Sequence, residues 1–116
     1  MKRLWQATIN SWHGLVAIAR SERAFREELA LLVIGIPLAF LLTADAGMRF
    51  ALIGSLVFIM IIELLNTALE KLSDRLTLDI DPAIKIVKDM GSAAILLSLL
   101  MAGALWIGAA AVWLKS

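Results

Sequence analysis

The chain contains no cysteine, which excludes disulfides and thiolate metal centres. Histidine is nearly absent too: His13 alone rules out a His-rich metal site. No Gly-x4-Gly-Lys-Ser/Thr loop occurs anywhere, so a phosphate cradle of that kind is excluded. Neither sign of charge dominates. Eleven Lys and Arg stand against ten Asp and Glu, for a formal net charge of +1, and bulk charge gives no reason to expect nucleic acid. Internal repeats and low-complexity segments are missing. No cleavable signal peptide is expected, because the apolar residues that follow Lys2 and Arg3 are periodic rather than continuous.

What the chain does have is apolar surface. Hydrophobic residues make up 61% and the mean hydropathy is +0.89, too apolar for an ordinary soluble domain. Its 116 residues suffice for about three membrane spans with short connections. We read one membrane domain over 1–116. Residues 1–28 form an amphipathic surface helix and a charged junction. Leu4, Trp5, Ile9, Trp12, Leu15, Val16 and Ala19 recur on one helical face, which suits a helix lying at the headgroup level; a soluble helix packed on another element has the same pattern. In the junction, Glu22 with Arg26 and Arg23 with Glu27 are spaced as i,i+4 pairs. Spans are expected at about 29–47, 50–70 and 90–114, with a turn at 43–47 and a polar connection over 73–89. Asp81 and Pro82 read as N-cap and first residue of a new helix. Trp106, Trp113 and Lys115 read as the far interface.

The second span carries the chemistry. Glu63, Asn66, Glu70 and Asp74 fall within an arc of roughly 80° on a helix. Carboxylates inside a bilayer segment are costly and point to function. Lys and Arg number five in the N-terminal region (Lys2, Arg3, Arg20, Arg23, Arg26), four in 71–89 (Lys71, Arg75, Lys85, Lys88) and two on the opposite side (Arg49, Lys115). Positive-inside then predicts a cytoplasmic N-terminus and a polar stripe that opens to the cytoplasm.

Glu22, Glu70 and Asp74, with Lys85, Lys88 and Asp89, suit Mg²⁺ with a polyphosphate, because Mg²⁺ takes few carboxylates beside phosphate oxygens and Lys supplies a point charge. Glu63, about 10 Å deeper, suits a general base. From the residues alone three classes stay open: an enzyme, a proton-coupled carrier, and an assembly protein that uses Glu63 and Asn66 as interhelical hydrogen bonds.

Glu63-Leu-Leu-Asn-Thr-Ala-Leu-Glu-Lys-Leu-Ser-Asp-Arg75 and Lys88-Asp-Met-Gly-Ser-Ala-Ala94 resemble the signature of the prokaryotic diacylglycerol kinase family. Ser11-Trp-His-Gly-Leu15 and Ser21-Glu-Arg-Ala-Phe-Arg-Glu-Glu28 resemble its N-terminal half. The resemblance implies an all-α inner-membrane protein with a surface helix and three transmembrane helices, assembled as a homotrimer with sites between subunits. It implies transfer of the γ-phosphate of MgATP to diacylglycerol, giving phosphatidate. By the same resemblance Glu63 is the general base, and Asn66 and Asp74 orient the reaction. Glu22 and Glu70 hold the metal. Arg3, Asn10, Asp79, Ile80, Asp81, Lys88 and Asp89 lie near the nucleotide, and Arg3, Ala24, Phe25, Arg26, Glu27, Glu28, Arg49 and Ser92 near the lipid. Four positions depart from the pattern: Asn10 for Tyr, His13 for Lys, Val16 for Arg and Leu41 for Trp. Undecaprenol, another lipid alcohol, is the alternative acceptor within the family.

Overall fold

The computed structural model describes residues 1–77 and 79–116, and every described element is helical. Four helices follow in order: α1 Lys2–Ser21, α2 Arg23–Leu42, α3 Ala46–Leu76 and α4 Pro82–Lys115. The α3 helix is the centre, with α2 and α4 packed along it; α1 meets the bundle at the α1–α2 corner.

The corner is sharp because one residue leaves the helix. Glu22 is extended, at φ −119° and ψ 113°. Arg26 Nη1 donates to the carbonyls of Ala19, at 2.7 Å, and Arg20, at 3.2 Å. A guanidinium at a helix C-terminus satisfies free carbonyls and suits the dipole. Arg26 therefore caps α1 and is not the i,i+4 partner of Glu22. The second expected pair does form: Arg23 Nε donates to Glu27 Oε1 at 2.9 Å. Ile18 and Phe25 are buried across the bend, and full burial of such a side chain contributes about 1.5–3 kcal/mol. Trp5 and Trp12 stay exposed on α1, leaving an apolar helix face free for a lipid surface.

Connections are short. Thr43, Ala44 and Asp45 join α2 to α3, and the Asp45 carboxylate accepts from the Met48 N–H at 2.8 Å, as an N-cap does. Arg49 Nε donates to the Thr43 carbonyl at 2.8 Å, and its guanidinium stacks 4.2 Å from the Phe40 ring centroid. The α4 helix opens as its sequence predicts, with Pro82 in its first turn and Asp81 accepting from the N–H groups of Ala83 and Ile84.

Among the described residues two helices, α3 and α4, are long and apolar enough to cross a membrane. At 1.5 Å per residue they measure roughly 46 and 51 Å, so each outruns a hydrocarbon core of about 30 Å. The surplus of α3 includes residues 70–76, which extend the acidic stripe beyond the apolar segment. The uncharged part of α2, 29–42, is only about 21 Å long.

Trp106 departs from the expected interface belt. Its indole Nε1 donates across to α3, to the Leu52 carbonyl at 3.1 Å and to Ser55 Oγ at 3.2 Å. The ring has room because Gly35 on α2 lies beneath it; a Cβ there would collide with Leu56 and stand 3.5 Å from the indole. The outer face of α4 remains uncovered, with Leu97, Leu100 and Ile107 all exposed.

Candidate active site

The face of α3 that carries Leu52, Ser55 and Ile59 into the core continues to Glu63 and Asn66 at three- and four-residue steps. Both polar groups are consequently buried within one chain, at 8% and 6% exposure. Thr67, one turn on, donates its hydroxyl to Glu63 Oε2 at 3.5 Å. From α2, Glu28 brings its carboxyl against that of Glu63, and Glu28 Oε1 is buried without a hydrogen-bond partner. Two acids thus meet across the α2–α3 contact.

Further along, Asn66 Nδ2 donates to Glu70 Oε1 at 3.1 Å, and Glu70 itself is exposed. Lys88 on α4 donates to Asp74 Oδ1 at 2.8 Å, bridging α3 to α4. Lys85 donates to Asp89 Oδ2 at 2.7 Å. At the helix break, Glu22 Oε1 lies 3.9 Å from Lys71 Nζ. One end of the bundle therefore gathers Glu22, Glu70, Lys71, Asp74, Lys88 and Asp89, with Glu63 and Asn66 deeper on the same helix.

The remaining expected residues are scattered within the chain. Arg49 is about 31 Å from Glu70 along α3 and is held by the Thr43 carbonyl. Along α1, Arg3 and Asn10 lie roughly 28 and 18 Å from Glu22. Asn10 Oδ1 accepts from Gln6 Nε2 at 3.1 Å. Phe25 is core, Ala24 and Glu27 are exposed, and Ser92 is exposed on α4. Asp79 and Ile80 are exposed in the connection, and the Asp81 carboxylate is engaged as the α4 cap.

Among the described residues no three acids or histidines converge into a metal cage. Mg²⁺ does not require one when phosphates and water supply most of its ligands. Glu70 is exposed and Glu22 half-buried, the access to water that a metal arriving with a nucleotide needs. The meeting of Glu28 with Glu63 and Thr67 as a donor were not expected from sequence; Gly91 reads there as a close-packing glycine, and its specific neighbour, Asn66, emerges only in the fold. Thr67 was visible as the i+4 neighbour of Glu63. The Glu28 contact joins residues on different helices and carries no local signal.

Bilayer-length apolar helices, an acid buried on the central one, and a mixed cluster where that helix leaves the apolar zone define a small helical membrane protein with one chemically equipped end. The family described as "Prokaryotic diacylglycerol kinase" matches residues 9–110. Relatives named Diacylglycerol kinase include that of Pseudomonas aeruginosa, 42% identical over 91% of this chain and 86% of the relative. That of Escherichia coli K12 is 38% identical over 90% and 85%, and that of Haemophilus influenzae 34% identical over 93% and 92%. The chain belongs to the prokaryotic diacylglycerol kinase family. It is a kinase, an enzyme of lipid metabolism and a bacterial membrane protein, and a kinase implies a nucleotide co-substrate.

Proposed function

We propose that this enzyme transfers the γ-phosphate of ATP to the free hydroxyl of diacylglycerol, giving phosphatidate for phospholipid recycling, at the cytoplasmic face of the inner membrane. The observation that carries the reading is the change in solvation along one helix face: Glu63 is buried, Glu70 is exposed, and Asn66 between them is tied to Glu70. A buried carboxylate beside apolar surface can meet a lipid hydroxyl. An exposed carboxylate about 10 Å away along the axis can meet a hydrated nucleotide.

In this reading the hydroxyl oxygen attacks the γ-phosphorus while its proton passes to Glu63. The bond from the γ-phosphorus to the β–γ bridging oxygen breaks, and ADP leaves. Phosphoryl transfer of this kind is mostly positioning and electrostatics, which suits a site with so few groups. Mg²⁺ would be held by Glu70 and Glu22 and, when bound, would neutralise charge on the β- and γ-phosphates. Lys88, fixed by Asp74, offers its ammonium to the phosphate tail. Arg3, Asn10, Asp79, Ile80, Asp81 and Asp89 are the further nucleotide contacts, and Ala24, Phe25, Arg26, Glu27, Glu28, Arg49 and Ser92 the lipid ones.

Three crossings are part of the reading, and the packing of α2 along α3 supports the third. The α2 helix returns along α3 after a three-residue turn, and Glu28 reaches the level of Glu63, which supports a third crossing by α2. The basic N-terminal region and 71–89 connection then face the cytoplasm. A homotrimer covers the exposed face of α4, since apolar areas of that extent mark lipid or protein contacts.

The deciding experiment measures turnover on diacylglycerol and undecaprenol side by side, with MgATP and the purified full chain. Faster turnover on diacylglycerol is expected. Preference for undecaprenol reassigns the acceptor within the family, and no nucleotide turnover with either lipid overturns the reading.

A further inference from the structure

We infer that Gly91 on α4 is a positioning residue for the nucleotide-metal end of the site, acting through Asn66. This rests on the reading that Glu70 is a metal ligand.

Asn66 sits on α3 with its amide turned between two neighbours. Nδ2 donates to Glu70 Oε1 at 3.1 Å. Oδ1 is buried and has no hydrogen-bond donor, yet a buried amide oxygen ordinarily finds one. It faces Gly91 instead. A Cβ at position 91 would collide with Oδ1 and stand 3.2 Å from the amide carbon. The α-hydrogen that such a Cβ would replace therefore points at Oδ1, a weak C–H···O contact of the kind that helix interfaces use.

The two contacts fix the amide in one orientation. Turned over, Asn66 would set its oxygen against the Glu70 carboxylate and its NH₂ against a C–H. Any side chain at 91 forces the amide to rotate or withdraw, because the backbones of α3 and α4 are already in close packing there. The far end of an Asn moves easily, so the fold tolerates the change, but the hydrogen bond to Glu70 does not survive it. Gly91 is buried, three residues beyond Lys88, so one turn of α4 supplies both a phosphate-facing cation and the gap that orients a metal-binding carboxylate.

The test measures Mn²⁺ binding to the full chain in detergent, with a non-hydrolysable ATP analogue, for Gly91→Ala, Asn66→Ala, the double variant and Glu70→Gln. Each of the first two is expected to weaken Mn²⁺ binding about tenfold or more, the scale of losing a hydrogen bond to a charged group. The double variant is expected to lose no more than Asn66→Ala does, because the collision partner is already gone. Wild-type Mn²⁺ binding in Gly91→Ala, or losses that multiply in the double variant, overturn the inference. If Gly91→Ala fails to assemble, assembly of the double variant with the Mn²⁺ affinity of Asn66→Ala supports it; failure of both, or any other affinity, overturns it. Unchanged Mn²⁺ binding in Glu70→Gln sinks the underlying metal assignment instead, whatever Gly91 does.

Discussion

Glu63 has one hydroxyl donor, Thr67, and one acidic neighbour, Glu28. A glutamine there keeps the shape, accepts from Thr67 and donates to Glu28, but takes no proton from an alcohol. Glu63→Gln is therefore expected to lower lipid phosphorylation by about 10²–10⁴-fold, the usual contribution of a general base, with assembly unchanged. Initial rates and size-exclusion profiles check both halves, and retained turnover removes the base assignment. At this scale the sequence disclosed residue types and their common helix face. It disclosed partners within one helix, as for Arg23 and Glu27, but not partners on different helices. Asp74 and Lys88 are 14 positions apart and meet at 2.8 Å, and nothing in local spacing selects Lys88 over Arg75.

Helix ends were the most legible elements where a side chain caps its own backbone. Asp81 and Pro82 start α4 within a few residues of one another, and such signals are local by nature. The break at Glu22 was not legible, because the cap comes from Arg26, reaching back to the carbonyls of Ala19 and Arg20. Trp106 was misread for a related reason. Tryptophan near the end of an apolar run fits an interface belt, and only the proximity of Gly35 and Ser55, on other helices, gives its N–H an interior use. Trp106→Phe tests that use. Ring packing over Gly35 is retained while the bonds to the Leu52 carbonyl and Ser55 Oγ are lost, for an expected destabilisation of about 0.5–1.5 kcal/mol. Denaturant unfolding in detergent measures it. An unchanged midpoint would mean that the indole N–H contributes nothing across the α3–α4 contact.

At the scale of the whole molecule, the polar stripe divides into two parts that need different company. Glu63 and Asn66 are already covered by their own chain, so burying them does not require a second copy. The outer part is incomplete. Glu22, proposed as the second metal carboxylate, lies 3.9 Å from Lys71 Nζ, and among the described residues no three acids gather into a cage. In the proposed homotrimer the exposed face of α4 packs on a second copy, and one chain's α1–α2 junction is then expected beside its neighbour's α3. On that proposal the metal site would combine Glu70 of one subunit with Glu22 of the next. Subunits carrying Glu22→Gln, mixed and reassembled with subunits carrying Glu63→Gln, are then expected to recover activity, because some interfaces pair an intact Glu22 with an intact Glu63 and Glu70. Each variant alone stays inactive. Rates of the reassembled mixture, compared with the two variants kept apart, decide the matter: a mixture no more active than its components would place Glu22 and Glu70 in the same chain, and the exposed face of α4 would then be left to lipid.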